Sequence, residues 1–171
     1  MTIRFTVYGE PKAGGNKRIS VRGGRAHIYE STKGTATWRD SVVYAAREKM
    51  QALQRQEDEV VSKGPSLWPL TSPLSLTVVF TLPRPKTAPK KRLWPDHKPD
   101  LSKAIRSTED ALTDAGVIRD DALFVRHEIW KVFPRPWGFP RSTDHEALSC
   151  DRKLRLFEMD TPGAVIEVRS L

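Results

Sequence analysis

Apolar and polar residues alternate at both ends and in the middle of this chain, and between these stretches the spacing changes to that of a helix. Ile3, Phe5 and Val7 alternate with polar neighbours, which predicts an opening strand ending near Gly9. Leu74, Leu76, Val78 and Phe80 predict another strand, running to Leu82. A strand is expected over residues 123–133, and Ala164, Ile166 and Val168 alternate into a closing strand. Trp38, Val42, Ala45, Ala46 and Leu53 recur at helical spacing, so a helix is expected from Thr37, with Thr37 as cap and Asp40 three residues on. Residues 54–65 are polar and read as a loop. Leu101, Ala104, Ile105, Thr108, Ala111, Leu112 and Ala115 form one stripe, which predicts a helix over 101–115 with Gly116 as its C-cap. Ser102, Arg106, Glu109 and Thr113 line the opposite side, with Asp110 beside them.

The connecting stretches carry much of the charge. Residues 12–33 are basic and glycine-rich, include Lys17 and Arg18, and read as a loop or hairpin. It is either a phosphate contact or a solvated loop. Residues 83–95 hold several prolines, five Lys/Arg and no acid, and cannot be regular structure throughout. Their position before an acidic motif favours DNA contact through Lys90, Lys91 and Arg92, with Trp94 able to stack on a base. Residues 134–160 read as an irregular segment or insertion, broken by Pro134, Pro136 and Pro140, with Trp137 and Phe139 packing it down. The order β-α-β-α-β-β in 171 residues implies one small α/β (α+β) domain, a mixed sheet packed with two main helices.

A formal net charge of +8 favours an acidic partner, nucleic acid being the commonest. A single cysteine, Cys150, excludes an intramolecular disulfide, and the scattered histidines do not suit zinc. No apolar run approaches the roughly 20 residues of a membrane span. The N-terminus does not read as a signal peptide, so a cytoplasmic protein is expected.

Within this basic chain, Lys98-Pro99-Asp100-Leu101-Ser102-Lys103 is followed by Asp120-Asp121. If the strand after Asp121 lies beside the helix, these carboxylates converge. Carboxylates with open water positions suit Mg²⁺, which polarises a phosphoryl oxygen and activates water. Arg106 on the same face can stabilise charge in the transition state. Each residue also has a structural reading: Asp at a helix N-cap, Asp-Asp as a turn, Arg106 paired along its helix.

The stretch from Lys98 to Ala122 resembles the core motif of the RusA family of Holliday junction resolvases. That motif is an Asp-Leu-Asp opening a helix, a basic residue four after the second Asp, then Asp-Ala-Leu, a glycine turn and Asp-Asp. Looser similarity covers the basic N-terminal loop and the start of the first helix, and Lys131 falls where the family often has a lysine. The resemblance implies a Mg²⁺-dependent (or Mn²⁺-dependent) endonuclease of bacteria or their phages. It implies a homodimer that binds four-way junctions and nicks two strands symmetrically. By position, Asp100 and Asp121 match the family's metal-binding acids and Arg106 its catalytic basic residue. Asp120, Glu109 and Asp110 complete the candidate metal ligands. Lys17, Arg18, Lys90, Lys91, Arg92, Lys98, Lys103 and Lys131 are the candidate DNA contacts.

One position departs from the pattern: Ser102 stands where the family has its second Asp. Either the acid has migrated or the site is weakened. Glu109 is the first candidate, about 20° from Ser102 around the helix axis, and Asp110 is the second. In the alternative reading the protein binds branched DNA with little or no cleavage.

Overall fold

The structure, a computed structural model, describes residues 1–14, 17–22, 25–30, 34–61, 66–89, 92, 94–135 and 155–171. Its elements are β1 (Thr2–Tyr8), β2 (Lys17–Arg22), β3 (Arg25–Glu30), α1 (Thr35–Val61), β4 (Leu74–Thr81), α2 (Leu101–Ala115), β5 (Phe124–Val132) and β6 (Gly163–Ser170), with short 3₁₀ turns at Asp121–Leu123 and Arg155–Phe157.

Four strands form one mixed sheet in the order β1-β6-β4-β5. Sequence composition explains the order. β4 and β6 are buried along most of their length, as strands covered on both faces must be, whereas β1 alternates buried and exposed residues and lies at an edge. β5 pairs parallel with β4, and β6 pairs antiparallel with both β4 and β1. The parallel pair requires a crossover, which contains α2. Gly163 is obligatory where β6 meets β1, because a Cβ there would stand 2.3 Å from the Val7 carbonyl oxygen.

The main core lies between the sheet and the helices. Ile3, Phe5 and Val7 meet Leu74, Leu76, Val78, Phe80, Ala164, Ile166 and Val168 below Trp38, Val42 and Ala46 of α1 and Ala104, Ile105, Ala111, Leu112 and Ala115 of α2. A smaller cluster of Val79, Val132, Phe157, Met159 and Val165 covers part of the other face. α2 occupies the residues its stripe predicts, and Gly116 ends it in the left-handed region at φ 81°.

Three expectations need adjustment. α1 begins at Thr35, so Thr37 lies inside the helix, and Trp38 N–H donates to the Gly34 carbonyl (3.0 Å). The polar residues 54–61 continue α1: Gln54 donates to Asp58 one turn on (3.0 Å) and accepts from Leu67 N–H (3.1 Å), and good helix formers sustain the helix without an apolar face. Part of 134–160 is regular: Arg155–Phe157 forms a turn that buries Phe157 and Met159. Trp137 and Phe139 lie outside the described residues. β2 and β3 pair antiparallel, in line with the hairpin reading, with Lys17 opposite Glu30. Its root is fixed to α2, since Gly14 N–H donates to the Lys103 carbonyl (3.1 Å).

Candidate active site

The polar face of α2 and the neighbouring face of β5 contain the candidate chemistry. β5 runs against the direction of α2. His127 Nε2 lies 3.1 Å from Glu109 Oε1, while Lys131, four residues later, reaches the chain that precedes the helix.

Glu109 is the most enclosed acid of the set, with 15% of its side chain exposed. Burial pushes its carboxyl above the ordinary carboxylate range; His127 opposes this, Asp121 and Asp110 push it further up, and Arg106 opposes again. Glu109, Asp121, Arg106 and His127 therefore form one electrostatic group. Two carboxylates that repel one another beside an exposed arginine can take up a cation.

Asp110 turns to the other flank of α2. Arg39 of α1 pairs with it (3.4 Å) and binds Asp114 through Nε (2.7 Å) and a second guanidinium nitrogen. Asp120 serves its turn: its side chain accepts from Ala122 N–H (2.8 Å), leaving Asp121 to open the 3₁₀ turn.

Asp100 is the N-cap residue of α2 by backbone geometry, yet its side chain makes no capping hydrogen bond. Its carboxylate lies 3.8 Å from Lys103 Nζ and is more than half exposed. Helix rise puts it about 13 Å along the axis from Glu109. The proposed acids thus stand at two levels along α2, Asp100 beside Lys103 at its start and Glu109 beside His127 further on. Among the described residues no three His, Cys, Asp or Glu side chains form a ready metal cage. Two carboxylates with water in the remaining positions do fit a hard divalent ion such as Mg²⁺. Ser102 is exposed in the first turn of α2.

Of the candidate DNA contacts, Lys98 and Lys103 are exposed near Asp100, and Arg92 is exposed with Nε 3.5 Å from Asp96. The side chains of Lys17 and Arg18 and all of Lys90 and Lys91 lie outside the described residues. Lys131 Nζ donates to the His97 (2.7 Å) and Pro99 (3.3 Å) carbonyls. The proline-rich arm folds back on itself: Arg84 donates to the Pro89 and Arg92 carbonyls and lies over Phe133. Trp94 stacks on Trp130, with ring centroids 6.3 Å apart.

Sequence reasoning missed His127 and Arg39. His127 was open to discovery, because in the strand that follows Asp121 it shares a face with Ile129 and Lys131. Arg39 falls in the segment that resembles the family's entry into the first helix, but its pairing gave no such signal, since its partners are more than 70 residues away.

Comparison with known proteins identifies the family. The model of one family, described as Endodeoxyribonuclease RusA, matches residues 8–136. The uncharacterized protein YqaN of Bacillus subtilis (strain 168) is 28% identical over 141 residues, covering 77% of this chain and 87% of that relative.

Proposed function

Since the chain belongs to the RusA endodeoxyribonuclease family, we propose that it resolves four-way DNA junctions by Mg²⁺-dependent hydrolysis of paired phosphodiester bonds, acting as a homodimer. Membership makes it a hydrolase acting on DNA. Nucleases of this family generally use divalent metal ions.

The observation that carries the reading is the grouping of Glu109 and Arg106 of α2 with Asp121 of the 3₁₀ turn that follows it, in a chain of net charge +8. Glu109 and Asp121 would hold the cation, which when bound supplies Lewis-acid polarisation of a phosphoryl oxygen. Glu109 is the migrated acid that answers Ser102, and Asp110, engaged by Arg39, is the weaker candidate. Arg106 stabilises the charge that builds on phosphate; its guanidinium does not deprotonate, so it transfers no proton. Asp100 is the further acid of the set, and Lys98, Lys103 and the basic hairpin rooted beside Lys103 bind the DNA backbone.

The separation of Asp100 from Glu109 along α2 favours a second reading, in which the protein binds branched DNA and cleaves it slowly because Ser102 leaves the acid set incomplete. Single-turnover cleavage of a labelled junction, with Asp100→Asn and Asp121→Asn beside the unaltered protein, separates the two. Rapid paired nicks lost in both variants support the resolvase. Tight binding without nicks in Mg²⁺ or Mn²⁺ supports the binding protein.

A further inference from the structure

β5 lies at the edge of the sheet and turns His127, Ile129 and Lys131 toward the helices. These residues pair across with Leu76, Val78 and Phe80 of the main core. Ile129 packs into that core, and His127 meets Glu109. Lys131 makes a different contact. Its ammonium donates to the His97 carbonyl (2.7 Å) and the Pro99 carbonyl (3.3 Å). These two oxygens belong to the segment that leads directly into Asp100. The His97 ring lies on Phe133, 6.5 Å between centroids, so the same segment rests on the end of β5 at a second point.

This geometry argues against a phosphate contact. A lysine binds phosphate as a hydrated, mobile point charge. Here two of its three protons are committed to main-chain acceptors, and the Pro99 contact is partly buried. The His97 contact is exposed, but a carbonyl oxygen drawn away from water, as at Pro99, needs a donor, so moving Lys131 to DNA would leave the Pro99 oxygen without this partner. Asp100 follows immediately, and its side chain does not cap its own helix.

We propose that Lys131 is a positioning residue: it fixes residues 97–99 against β5 so that the Asp100 carboxylate is held at the N-terminus of α2. The proposal rests on the reading of Asp100 as an active-site acid.

The test compares Lys131→Met, Lys131→Gln and Lys131→Arg in the full chain, with Asp100→Asn in parallel. Junction affinity is measured without divalent metal across a salt series, and single-turnover cleavage is measured with Mg²⁺ at saturating protein. Lys131→Met is expected to keep its junction affinity within about twofold and its salt slope unchanged, because no phosphate contact is lost. Its cleavage rate is expected to fall at least tenfold. Lys131→Arg, which retains donors, should recover most of the rate, and the neutral donor Lys131→Gln should recover part of it. A fall of about one in the salt slope, for Met and Gln alike, would make Lys131 a phosphate contact and overturn the proposal. Unchanged cleavage by Lys131→Met would also overturn it. If Lys131→Met fails to fold, the slope and rate of Lys131→Gln decide the same question. Normal cleavage by Asp100→Asn would remove the acid on which the proposal rests. That result is distinguishable, because the salt slope of the Lys131 variants still reports whether the lysine touches phosphate.

Discussion

Glu109→Gln is the substitution that most sharply separates a metal-binding carboxylate from a structural one. Glu109 is largely buried, and its carboxyl lies above the ordinary range chiefly because of that burial. Holding it ionised at neutral pH therefore works against the fold. Glutamine keeps an oxygen that can accept from His127 and removes the charge. Without metal, the variant is expected to be as stable as the unaltered protein or more so, by up to about 1 kcal/mol or roughly 2–4 °C in Tm. The sign with pH follows. A raised folded-state pKa favours the folded state below the usual value of 4.5, and that advantage is lost as pH rises through the folded value, so the two proteins converge in acid and diverge toward neutrality. With metal the order reverses. A unit charge 4 Å from a divalent ion contributes about 2 kcal/mol at the dielectric of water and about 8 kcal/mol at an effective dielectric of 20. Even the lower figure is roughly thirtyfold in affinity. Thermal unfolding in EDTA and across a Mg²⁺ titration reads both effects. A Glu109→Gln protein that loses several degrees in EDTA yet keeps the full Mg²⁺-induced shift would refute the reasoning and leave Glu109 as a structural partner of His127.

Asp121→Asn should abolish cleavage and leave junction binding equal or tighter, since it removes a negative charge near phosphate; gel-shift and cleavage assays on the same preparation check this. Leu112→Ala should destabilise the fold by about 3 kcal/mol, because the side chain is fully buried between α2 and the sheet, and urea unfolding measures it. Gly14→Val should weaken junction binding more than it lowers Tm: even a Cβ there would sit 3.0 Å from the Ser107 Cβ, forcing the hairpin root away from α2. Equal junction affinity in this variant would remove the hairpin from the DNA interface.

Much of the framework was legible because burial writes itself into spacing. The α2 stripe and Gly116 determine both ends of that helix, and alternation locates β1, β4 and β6. The second half of α1 was not legible: residues 54–61 have no strong apolar face, and the helix continues through Gln54–Asp58 and the docking of Leu67. The site divides in the same way. The proposed site residues Asp100, Arg106, Glu109 and Asp121 come from motif and helix phase. The pairing of Asp110 with Arg39 depends on how α1 crosses α2, and the contacts of His127 and Lys131 depend on the direction of β5 against α2. Such tertiary choices leave no trace in local spacing. Likewise Trp94, expected to stack on a base because its arm precedes the acidic motif, lies on Trp130, a contact that only the folded arm creates.

The most direct test is Mg²⁺-dependent cleavage of a labelled four-way junction beside linear duplex of the same sequence, with Asp121→Asn as control. Paired, symmetric nicks are expected in the junction alone, absent from the variant. Equal cleavage of duplex and junction, or nicks that survive Asp121→Asn, would contradict it.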